Sequence, residues 1–171
     1  MRAAGPSLTQ PSLAILLGLI LVASCNKTSS SARAGRATGT GDASSIDACA
    51  LLMPSDIQQA LGVAVKAGVK QTTSTSSECQ WDSQDESAAA GVSVSVATYD
   101  DVLFHQEASS KRAVPVSGLG ETAFKGFPHA GDLSIKQGGH VIDLGVVDFR
   151  LAPEKVDNAA RALATLVLSR L

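Results

Sequence analysis

The chain has 171 residues, 44% hydrophobic and 18% charged, with a formal net charge of −2. That is long enough for one domain with its own core and too apolar for a disordered chain. The slightly acidic balance argues against a nucleic-acid binder and against a polybasic membrane-surface protein, because both need a basic face to meet phosphates.

The chain opens with one charge, Arg2, before an apolar run at residues 14–23 (AILLGLILVA). A membrane-spanning helix needs roughly 20 residues, whereas a signal-peptide core of about 7–15 fits this run. Val22-Ala23-Ser24-Cys25 follows. It resembles the lipobox of bacterial lipoproteins, in which the cysteine thiol receives a diacylglyceryl group and the signal is cut just before it. The alternative is an ordinary signal peptide with an accidental cysteine. Lipidation also accounts for the odd cysteine count, since Cys25 would then leave Cys49 and Cys79 to each other. Two or three acyl chains, each buried CH2 contributing about 0.8 kcal/mol, anchor stably where one does not. The expected address is the cell envelope, on the outer face of the cytoplasmic membrane or on the outer membrane. Asn26 after the cysteine is, by the lipoprotein rule, permissive of outward transport.

Residues 26–45 (NKTSSSARAGRATGTGDASS) lack apolar periodicity and read as a flexible linker. Its mean reach is about 25 Å. The expected organisation is a signal at 1–24, the lipidated cysteine and linker at 25–45, and one globular domain at 46–171.

Asp47 can cap a helical turn over ACALL. Pro54 opens a helix that Gly62 closes, with Ile57, Ala60 and Leu61 on its apolar face. Alternation predicts strands at 63–69, 78–83 and 91–98; in the last, Val92, Val94 and Val96 face one way and serines the other. Residues 100–112 read as helix, 114–120 as loop and 123–127 as strand. Residues 132–137 and 140–150 form a hairpin around Gly138-Gly139. Pro153 begins a last helix, with Val156, Ala160, Leu163, Val167 and Leu171 on one stripe. The order αβββαβββα indicates an α+β fold, a mostly antiparallel sheet with helices packed on one face.

Cys49 precedes the first helix and Cys79 lies two residues before Trp81. In an oxidising compartment the two should pair. A metal or nucleophile role would need partners that the sequence does not offer. Asp47-Ala48-Cys49-Ala50-Leu51-Leu52-Met53-Pro54, Cys79-Gln80-Trp81 and Gly118-Leu119-Gly120-Glu121-Thr122-Ala123 occur in that order. The set resembles an uncharacterised lipoprotein family common in actinobacteria, with a lipobox and DxCxLLTP, CxW and GLGxxA motifs. The family has Thr or Ser where this chain has Met53, which removes a side-chain helix cap worth about 1 kcal/mol. The resemblance implies a fold and an address and brings no catalytic residues.

His105, His129 and His140 are scattered, without the spacing of a zinc site. Gly118-Leu119-Gly120 lacks the third glycine of a phosphate cradle, and no serine sits in a GxSxG elbow. No catalytic set, metal or cofactor is therefore expected. The expected function is a non-catalytic, membrane-anchored domain that docks to an envelope protein or polymer. The alternative is a carrier of a small apolar ligand or lipid. The candidate contacts are Leu119 and Phe127, in the glycine-rich loops 117–121 and 126–132.

Overall fold

A computed structural model describes residues 42–110, 112–126 and 131–171. Cys25, Phe127 and His129 lie outside the described residues. Two 3-10 turns, Ala43–Ser45 and Ala48–Ala50, lead into α1 (Pro54–Leu61). Then come β1 (Val69–Thr72), β2 (Ser76–Asp82), a 3-10 turn at Glu86–Ala88, β3 (Ala90–Thr98) and α2 (Asp101–Ala108). β4 (Val114–Val116), β5 (Thr122–Lys125), β6 (Leu133–Gln137), β7 (His140–Asp148) and α3 (Pro153–Arg170) complete the chain. The seven strands form one sheet in the order β1-β2-β3-β7-β6-β5-β4, every pair antiparallel. Two meanders, β1–β3 and β4–β7, thus meet at the nine-residue β3–β7 ladder. The fold is α+β, as expected.

Period-two alternation sets the faces. Val92, Val94 and Val96 of β3 lie opposite Val146, Leu144 and Ile142 of β7, and Ile135 of β6 continues the layer. All are essentially inaccessible. Over this face pack α1 and α3, the latter through Val156, Ala160, Leu163 and Val167. α2 is the exception to the single-sided arrangement. It lies across the opposite face, anchored by Phe104, whose ring is 5.2 Å from that of Phe124 and 5.6 Å from that of Tyr99.

Two elements depart from expectation. Val63 and Val65 are buried, as their alternation demands, yet their segment makes one isolated bridge, Val65 to Ser83, and no strand. The strand β1 follows it, exposed at all four positions. Between them Gly68 crosses the disulfide; a Cβ there would stand 2.5 Å from Cys79 Sγ and 2.7 Å from Trp81 Nε1. Residues 114–120, expected as loop, contain β4. It is an edge strand, where the missing N–H of Pro115 leaves no ladder bond unmade. The observed order is therefore αβββαββββα.

Cys49 and Cys79 are disulfide-bonded, tying the Ala48–Ala50 turn to β2. Closing a loop of this length stabilises by about 3–4 kcal/mol on the chain-entropy model. Elsewhere Lys125 pairs with Asp157, joining β5 to α3, and Asp157 also accepts from the Gly131 N–H at 3.2 Å.

Candidate functional site

The face of the sheet turned away from α1 and α3 carries the polar half of each alternation. One rung runs Glu78–Ser95–Asp143–Ser134–Phe124 across β2, β3, β7, β6 and β5. The next runs Gln80–Ser93–Gly145, and a third Asp82–Gly91–Val147. α2 covers the Phe124 end. Among the described residues, no helix covers the β2–β3–β7 end.

Small residues keep this floor low. A Cβ on Gly145 would come within 2.8 Å of Ser93 Oγ and 3.6 Å of Asp132 Oδ1, so the bare backbone there lets both side chains close over β7. A Cβ on Gly91 would stand 3.1 Å from the Trp81 carbonyl. Above the floor lies a hollow of about 650 Å3. Its lining includes five carboxylates, Glu78, Asp82, Asp85, Glu86 and Asp132, against one lysine, Lys66. Lys66 itself lies 3.7 Å from Glu86. Phe149, just past β7, forms part of the rim and is 77% exposed. A second hollow of about 460 Å3, under α2, shares Asp132 and adds Asp143, Ser134, Phe124 and Glu107. The two hollows adjoin at Asp132, and the trough they outline runs from Phe149 to Phe124.

The carboxylates are not equivalent. Asp143 accepts a hydrogen bond from Ser134 Oγ at 2.6 Å, but the surrounding protein displaces water and pushes its pKa up, the hydrogen bond opposing. Asp85 accepts from the Ser87 hydroxyl at 2.6 Å and the Ser87 N–H at 2.9 Å, which hold its pKa down. At the end of β7, Asp148 is inaccessible and takes a bidentate contact from Arg150, at 3.0 and 2.7 Å, which lowers its pKa. That fork fixes the backbone beside Phe149.

Of the two candidate contact residues, Leu119 does not line this surface. Leu119 is 5% exposed and packs in the core. The loop around it is a fixed corner: Gly120 has a φ of 55° and passes so close to the Lys136 carbonyl that a Cβ would lie 2.6 Å away. Glu121 ties that corner to the β6–β7 turn, accepting from the Gly138 N–H at 3.0 Å. Phe127 lies outside the described residues. Among the described residues, Phe149 is the exposed aromatic at the rim of the trough, a residue that sequence patterns alone do not single out. Its parity fits this face: it continues the outward series Asp143, Gly145, Val147.

A family model for proteins of unknown function, DUF3558, matches residues 20–169. The chain belongs to the DUF3558 family. The DUF3558 match begins inside the apolar run, so it takes in Cys25, the linker and every element of the sheet. No curated protein and no solved structure matches the chain.

Proposed function

We propose that this chain is a lipoprotein of the cell envelope, anchored through Cys25, whose domain works without catalysis by docking a partner into the uncovered face of its sheet. The observation that carries the reading is the trough, a concave and carboxylate-lined surface on a rigid antiparallel floor, with an exposed phenylalanine at its rim. Loops and faces held on a rigid sheet are suited to recognition, and an exposed aromatic beside a hollow is a typical interface anchor. Tethering by the linker raises the local concentration of such a surface, so that a weak interface suffices. The carboxylates favour docking over the carriage of an apolar ligand, because burying them against lipid would cost several kcal/mol each.

A photoreactive residue placed at Phe149 in the full chain should cross-link a partner in the intact envelope. The same residue at Thr165, on the exposed side of α3, should not. Equal yields from both positions, or none from Phe149, contradict the reading. So does turnover of a defined substrate that is lost on changing a trough carboxylate.

A further inference from the structure

Resting on that docking reading, we propose that the occupant of the trough is an extended, basic segment of a partner protein, with arginine or lysine side chains spaced to meet Glu78 and Asp82. Charge favours such an occupant. Residues 42–171 hold all sixteen Asp and Glu of the chain but only ten of its fourteen Lys and Arg, a net −6. The trough concentrates this imbalance, with five carboxylates to one lysine in the larger hollow. Such a field repels anionic lipid headgroups and phosphate-bearing polymers and attracts a cationic chain.

Spacing favours it as well. Glu78 and Asp82 sit on the same face of β2, four residues apart, with Gln80 between them. At about 3.3 Å per residue the two carboxylates are roughly 13 Å apart along the strand. An extended guest lying along the strands matches this with basic residues at positions i and i+4. Asp143, in the same rung as Glu78 across Ser95, widens the acidic end of the track.

The mixed lining favours it too. Val147, Ala89 and Phe149 put apolar surface beside the carboxylates. A bare inorganic cation has no use for it, and among the described residues no group of three His, Cys, Asp or Glu side chains is placed to hold a metal ion. A guanidinium does: it pairs with a carboxylate through its edge and stacks on an aromatic through its face. The one lysine of the larger hollow, Lys66, lies 3.7 Å from Glu86. Arg112 lines the second hollow, together with Asp132 and Asp143.

The probe is a fluorescein-labelled peptide, RSGSRSGSR, titrated with the full chain in neutral detergent micelles and read by anisotropy. Glu78→Gln/Asp82→Asn should weaken binding about tenfold, and Phe149→Ala should weaken it as well. Glu154→Gln/Asp47→Asn removes the same charge from the opposite side of the domain and should leave binding unchanged. Thermal melts establish that each variant is folded. No binding by the peptide, or equal weakening by the two double variants, overturns the proposal. The docking reading fails separately. If a partner cross-links at Phe149 but the cross-linked segment carries no Lys or Arg, docking stands and the basic occupant is wrong. A cross-linked segment with basic residues four apart supports both.

Discussion

Asp143 on β7 accepts a hydrogen bond from Ser134 on β6 across a single rung of the sheet, Oγ to Oδ1 at 2.6 Å, in the lining of the hollow under α2. The bond favours the carboxylate, yet burial outweighs it and raises the pKa. A raised folded-state pKa means that the native protein holds this proton more tightly than the unfolded chain. The stabilising contribution is complete below the ordinary value of 3.8 and is lost as pH rises through the folded-state value. Asp143→Asn should therefore stabilise the protein at pH 7, by less than about 1 kcal/mol because the group remains in reach of water. The gain should shrink at pH 3. Denaturant melts at the two pH values check this; a variant less stable than the parent at pH 7 contradicts it.

Asp56 behaves in the opposite sense. It joins the ends of the domain, taking Arg170 Nη1 from the last turn of α3 at 2.6 Å and the Met53 N–H at 2.8 Å. The Arg170 hydrogen bonds, then that of Met53, lower its pKa. Its contribution is thus present above pH 3.8 and lost as pH falls through the folded-state value. Asp56→Ala should cost about 1–2 kcal/mol at pH 7 and much less near pH 2, measured by denaturant melts.

Met53 stands at the N-cap of α1 and contributes no side-chain hydrogen bond there. Asp56 already supplies the return half of a capping box by accepting from the Met53 N–H. Met53→Thr completes the box. It should raise stability by about 1 kcal/mol, and since Met53 is 54% exposed the loss of packing is small. A neutral or destabilising change in urea melts would show that the cap geometry is not available to a hydroxyl.

Gly68 lies against the disulfide and Trp81 with no room for a methyl group. Gly68→Ala should destabilise by about 2–3 kcal/mol through overpacking. Cys49→Ser/Cys79→Ser should cost about 3 kcal/mol through the unfolded chain. Combined, the three changes should cost less than the sum, because the Cys79 Sγ that the methyl group meets gives way to a smaller oxygen. Strict additivity in thermal or urea melts contradicts the contact.

What the sequence made legible was whatever buries a regular stripe. Val92, Val94 and Val96, the Gly138-Gly139 hairpin and the α3 stripe each carry a period that only one element satisfies. β1 and β4 escaped because edge strands need no apolar face. Val69, Lys70, Gln71 and Thr72 are all exposed, and Pro115 reads as a loop residue. The alternation at 63–69 reported burial correctly but could not report that the partner strand was absent. The trough was hidden for a different reason. Glu78, Asp132 and Asp143 share a surface only through the β3–β7 ladder, a pairing across α2 and three strands that local pattern does not encode. A glycine-flanked loop points to Leu119 as a contact, but Gly120 serves a close passage over β6 and Leu119 lies in the core.

A domain that docks its partner as proposed does so through the uncovered face of β2, β3 and β7. Gln80 is exposed at the middle of that face, between Glu78 and Asp82. Gln80→Trp fills the trough without touching the core. In the full chain carrying the photoreactive residue at Phe149, this substitution should abolish the cross-linked partner while the melting temperature stays within a few degrees of the parent. Undiminished cross-linking from a folded Gln80→Trp protein would contradict the account.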